Sequence, residues 1–171
     1  MKKFLMLAAA AAAVSATPAM AATNSATYDV KASVSAFCTA LTSSSTALDF
    51  GSLDSFINAD GTLGTNSLSK NVQQTNVVCN GAGTTITVTP TAMTNTNSAL
   101  TDTSQFTKTI NYTTTVSLAG SSVTVDSLPH NVGALNGTLS VTASNLSPAG
   151  GLALYAGSYA GTIVVTLTPS A

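Results

Sequence analysis

The side chains able to do chemistry are few. His130 is the only histidine, the acidic groups are six aspartates, and there are two cysteines, Cys38 and Cys79. A serine hydrolase would need His130 as its base, oriented by a carboxylate and set against a serine exposed on a strand-to-helix elbow. His130 lies in Leu128-Pro129-His130-Asn131, and no G-x-S-x-G segment presents a nucleophile. Glycoside chemistry requires two carboxylates flanking one bond. Asp29, Asp49, Asp54, Asp60, Asp102 and Asp126 are scattered, mostly in stretches that read as loops. Asn58-Ala-Asp60-Gly61 has the outline of a calcium loop, but the acidic positions that complete one are absent, so it reads as a turn. One histidine and no C-x-x-C leave zinc without ligands. Gly150-Gly151 lacks the strand-to-helix context of a phosphate loop. N-x-S/T triplets at Asn111, Asn136 and Asn145 follow from the abundance of Thr and Ser. The expectation is a non-enzymatic protein with no catalytic, metal or cofactor residues.

Charge narrows the partners further. The chain has neither arginine nor glutamate, and beyond Lys2 and Lys3 its only cations are Lys31, Lys70 and Lys108. So few cations cannot neutralise a run of phosphates, which argues against nucleic acid and against an anionic lipid surface. Lys2 and Lys3 precede an apolar run, Phe4 to Val14, then Ser15-Ala-Thr-Pro18 and the A-x-A site Ala19-Met20-Ala21. That order reads as a secretory signal, residues 1–21, cut after Ala21, because the apolar run is too short to span a bilayer. The expected mature part, 22–171, is a single domain of about 150 residues. Export takes Cys38 and Cys79 into an oxidising compartment, where one disulfide is expected.

The elements that would position these residues are strands. Hydrophobic residues make up 44% of the chain and charged ones 6%, the opposite of a disordered composition. The many threonines are β-branched and suit a strand face half in water. Tyr28, Val30, Ala32, Val34, Ala36 and Cys38 alternate as one face of a long strand that would point Cys38 into the core. Asn76 to Cys79 reads as a second strand. Ile86 and Val88 alternate until Pro90, and Ile110, Tyr112, Thr114, Val116 and Leu118 form another face. Gly120-Ser121 reads as a hairpin turn into Val123 and Val125, and Asn136-Gly137 as a turn before Leu139, Val141 and Ala143. Tyr159, Gly161, Ile163, Val165 and Leu167 give the clearest strand, at the C-terminus. Ser52 to Ser67 and Thr91 to Ser104 read as loops. Seven or eight strands and no helix predict an antiparallel β-sandwich, with a small closed barrel as the alternative.

Tyr28-Asp-Val-Lys-Ala-Ser-Val-Ser-Ala-Phe-Cys38-Thr39, then Leu48-Asp-Phe50-Gly51, then Val77-Val78-Cys79-Asn80, resembles the opening of the spore coat protein U domain. That domain also occurs in subunits of archaic chaperone-usher pili. Gly157-Ser158-Tyr159 and the alternating strand to Thr168 are similar to the family's end. The likeness covers both ends of the mature part, roughly half its length; the middle shares only the strand rhythm. It implies an immunoglobulin-like sandwich that lacks one strand and is completed by strand donation. It also implies a structural subunit of an adhesive surface fibre serving adhesion and biofilm formation. The partners would be identical or related pilus subunits, a periplasmic chaperone and an outer-membrane usher, with passage through the periplasm to the cell surface. The donor would be residues 22–35, with Tyr28, Val30, Ala32 and Val34 inserting; the same residues also read as the domain's own first strand. A stand-alone secreted or periplasmic binding domain is the competing function. The absence of tryptophan and the presence of only four tyrosines speak mildly against it.

Overall fold

The computed structural model describes residues 25–42, 48–64 and 68–171. The signal segment 1–21, its cleavage site and residues 22–24 of the expected donor lie outside the described residues. The chain divides between Ser33 and Val34 into two units.

The larger unit is all-β. Its strands are β1 (Ser69–Cys79), β2 (Thr85–Asn95), β3 (Phe106–Thr107), β4 (Thr109–Leu118), β5 (Ser121–Val123), β6 (His130–Asn131), β7 (Leu135–Pro148), β8 (Ala153–Leu154) and β9 (Tyr159–Thr168). Seven of them form one antiparallel sheet in the order β1-β7-β4-β2-β6, with β5 beside β4 and β9 beside β2. β3 and β8 form a small parallel pair.

The sheet curls into a sandwich because β4 and β2 pair only at Met93–Ile110 and Thr94–Thr109. Beyond that corner the two halves separate, β1-β7-β4-β5 on one side and β9-β2-β6 on the other. Val77, Ile86, Val88, Val116, Leu118, Leu139 and Val141 fill the space between them. These are the inward members of the alternating runs, so period-two patterning sets the core as expected. Among the described residues β1 and β9 each have one ladder partner and do not pair with each other, so no closed barrel is formed there.

Several local expectations are corrected. Residues 25–37 belong to no strand, and Cys38 makes only a single bridge, to Cys79. Alternation fits a residue to a half-buried strand, but a strand also needs a ladder partner. Pro90 does not end β2, which continues to Asn95. On one side β2 pairs with β9; on the other it meets only β6 at Thr85–Ile86 and β4 at Met93–Thr94. Between those contacts it is an edge, where a residue without an N–H is tolerated. Asn136-Gly137 is not a turn but part of β7, opposite Val78 and Val77. Gly137 is needed for close approach instead: a Cβ there would come within 2.6 Å of the Ala119 methyl. The β4–β5 turn falls one residue early, at Ala119-Gly120, both with positive φ, the geometry favoured by a two-residue hairpin.

Candidate functional site

β9 forms an open margin of the sheet. Its register with β2 runs from Thr168 opposite Thr85 to Tyr159 opposite Asn95, and its other edge pairs with nothing among the described residues. Ile163, Val165 and Leu167 point inward yet are only partly buried. Val164, on the outer face, is 53% exposed. A ten-residue edge with its inner face incompletely covered is a template for another strand. The interior beside its first half is also unfilled. Leu48, Phe50, Met93, Tyr112, Ala143 and Ile163 surround a cleft of about 60 Å³.

Close packing shapes this end of β9. The β2–β9 register shifts between Thr91 and Thr94, and a Cβ on Gly161 would lie 2.7 Å from the Thr91 carbonyl oxygen. Thr91 Oγ1 accepts the Thr162 N–H (3.0 Å) and lies 2.7 Å from Thr162 Oγ1. The Tyr112 hydroxyl, from β4, donates to the carbonyls of Thr91 (2.7 Å) and Thr162 (3.0 Å). Burial raises its pKa.

β1, the other edge, is partly covered. Cys38 and Cys79 form the disulfide, joining residues whose sequence separation is 41. In the chain-entropy model, closing a loop of that length stabilises the fold by about 4 kcal/mol. Around it, Thr39 N–H donates to the Val78 carbonyl (2.8 Å), and Thr39 Oγ1 accepts the Val78 N–H (3.0 Å). Asn80 makes three bonds: Oδ1 accepts from Phe37 N–H (2.7 Å), Nδ2 donates to the Ser35 carbonyl (3.0 Å), and its N–H donates to the Phe37 carbonyl (3.1 Å). Gln74 adds two more, to Thr42 N–H and the Ala40 carbonyl. None of these clamps was evident from sequence, because Asn80-Gly81 reads as an ordinary loop and a polar Gln in a strand carries no distinctive signal.

Tyr28 is 84% exposed, Val30 94% and Val34 84%, and Ala32 is exposed as well. Asp29 and Lys31 lie 3.8 Å apart with both side chains in solvent, where an ion pair contributes little. The alternating apolar row therefore faces water.

The remaining candidates for chemistry have local partners. His130 Nε2 lies 2.7 Å from Asp126 Oδ1, which also accepts the Leu128 N–H at 3.0 Å. Asp126 titrates below its ordinary value, chiefly through the bond to His130. Asp102 Oδ1 instead accepts from Thr107 and from Lys108 N–H, so the two carboxylates share no partner. Asp60 closes a turn by accepting the Thr62 hydroxyl and N–H, and the hydroxyl bond leads in lowering its pKa. Among the described residues no three His, Cys, Asp or Glu side chains gather as metal ligands, and no helix is long and apolar enough to cross a membrane.

No protein-family model matches the chain, and no curated protein matches its sequence.

Proposed function

We propose that the chain is a structural subunit of a surface fibre, assembled when the N-terminal arm of one copy adds a strand along β9 of the next. The observation that carries this reading is the open margin of the sandwich: a β9 that pairs with β2 on one side only, among the described residues, and whose Ile163, Val165 and Leu167 are only partly buried. The arm supplies a complementary row, Tyr28, Val30, Ala32 and Val34, exposed to solvent. Backbone hydrogen bonds would provide affinity, and alternate side chains would complete the core. Every ladder of the main sheet is antiparallel, the slightly stronger arrangement per residue. In one antiparallel register all four arm residues oppose inward positions of β9 and all three half-buried residues are covered. It sets Tyr28 opposite Leu167, Val30 opposite Val165, Ala32 opposite Ile163 and Val34 opposite Gly161.

The likeness to spore coat protein U domains adds the expected partners: a periplasmic chaperone that holds the open edge, an outer-membrane usher, and related subunits. Adhesion and biofilm formation would be the role of the finished fibre.

The test is periplasmic expression of the chain with and without residues 22–35, followed by gel filtration and negative-stain microscopy. Fibres or detergent-resistant ladders from the full chain, lost on truncation, with the truncated subunit stabilised by a Thr27–Ser35 peptide, are the expected result. A stable monomer from the full chain, and a truncated form indifferent to the peptide, would replace this reading with that of a stand-alone secreted domain.

A further inference from the structure

Ser35 to Thr39 are fastened to the body of their own chain by the three bonds of Asn80, the two bonds between Thr39 and Val78, and the Cys38–Cys79 disulfide. The last inserting residue, Val34, therefore adjoins a pinned segment with no linker between them. On the strand-donation reading, which all of this rests on, the register above continues past Val34 to set Phe37 opposite Ser158 of a second copy. An extended chain advances at most about 3.6 Å per residue. The donor's Cys38 then lies within about 14 Å of the place where Val34 pairs. The donor's body must press against the end of the acceptor where β9 begins.

That end carries an aromatic pair. Phe106, 39% exposed, stacks on Tyr155 with ring centroids 5.2 Å apart. Tyr155 is braced: its hydroxyl donates to the Thr101 carbonyl, and its own carbonyl accepts the Tyr159 hydroxyl. Two residues, Ala156 and Gly157, separate Tyr155 from Ser158, the expected position of the incoming Phe37. Phe37 is itself 48% exposed at the pinned exit of the arm. We propose that Phe106 and Tyr155 form the docking face for Phe37 of a second copy, making each junction short and stiff. Preformed, rigid aromatic surface of this kind is where contact energy concentrates. An arm lying parallel to β9 would instead bring the body to the opposite end, where Gly83 N–H donates to the Ser170 carbonyl.

The experiment uses the full chain with a photo-crosslinking benzoyl-phenylalanine in place of Phe37. Illuminated oligomers should yield intermolecular crosslinks to Phe106, Tyr155 or the neighbouring residues 156–158. Crosslinks to residues 81–84 or 169–171 would overturn the docking face. In parallel, Phe106→Ala should speed the dissociation of subunits about tenfold while leaving the affinity for the free Thr27–Ser35 peptide unchanged; an unchanged dissociation rate counts against it. If that variant does not fold, the crosslink map decides alone. Failure of the unmodified chain to polymerise or to bind the peptide removes strand donation itself. Polymerisation with the wrong crosslinks removes only the aromatic dock.

Discussion

Tyr112 reaches across the opening between the two layers and ties β4 to carbonyls on both β2 and β9. Thr162 O also accepts the Thr91 hydroxyl at 3.2 Å, so Thr91 O depends more heavily on the phenol. Tyr112→Phe should cost about 1 kcal/mol, the net loss of the phenol's hydrogen bonds to carbonyls that water can reach, and urea denaturation would measure it. The sequence placed Tyr112 on the inward face of its strand but gave no sign of these acceptors, because they are backbone atoms at a register shift. His130 and Asp126 are the reverse case. Both were legible as chemical groups, but nothing in the sequence paired them with each other, and no set of groups that would make a catalyst was evident. Asp126 titrates below its ordinary value of 3.8 in the fold. Its contribution is therefore complete above that value and is lost as pH falls through the lower folded value. The melting temperature should drop in acid, and Asp126→Asn should flatten that drop; equal acid sensitivity in both proteins would remove the linkage.

Strand identity was legible wherever an alternating apolar face had a partner. β4 and β9 follow the expected faces residue for residue, because Val, Ile and Leu at every second position leave one way to bury them. β1 was read only from Asn76, since Ser69 to Gln74 is polar except for Val72. At that margin even inward positions meet water or serve as clamps, so the hydrophobic signal vanishes while the ladder to β7 persists. Asn136-Gly137 failed for another reason: local turn preference was overridden by the need to pass the β4–β5 hairpin closely. Gly137→Val should collide with Ala119 and cost about 1–3 kcal/mol, as overpacking does. A thermal melt no lower than that of the parent protein would contradict the close approach seen here.

At the scale of the whole molecule, the two ends of the sandwich are unlike. One gathers the exit of the arm, the disulfide and the C-terminal residues; the other holds the start of β9 and the stacked rings. The sequence marked the arm and the C-terminal strand as separate alternating rows but could not show that β9 has β2 as a neighbour on one side only among the described residues, because edges are created by topology and not by pattern. The disulfide has a mechanical consequence. Tension entering through the arm reaches Cys38 and crosses the sulfur–sulfur bond directly to Cys79 and the β1–β7 ladder, so residues 39–78 lie off the load path. Pulled by its two ends in a single-molecule force experiment, the oxidised protein should keep that loop folded in reserve. Reduction should add up to about 150 Å of contour length per molecule, the span of 41 residues at up to 3.6 Å each. No such increment would mean that load leaves the arm before reaching the cysteine, through the hydrogen bonds of Asn80.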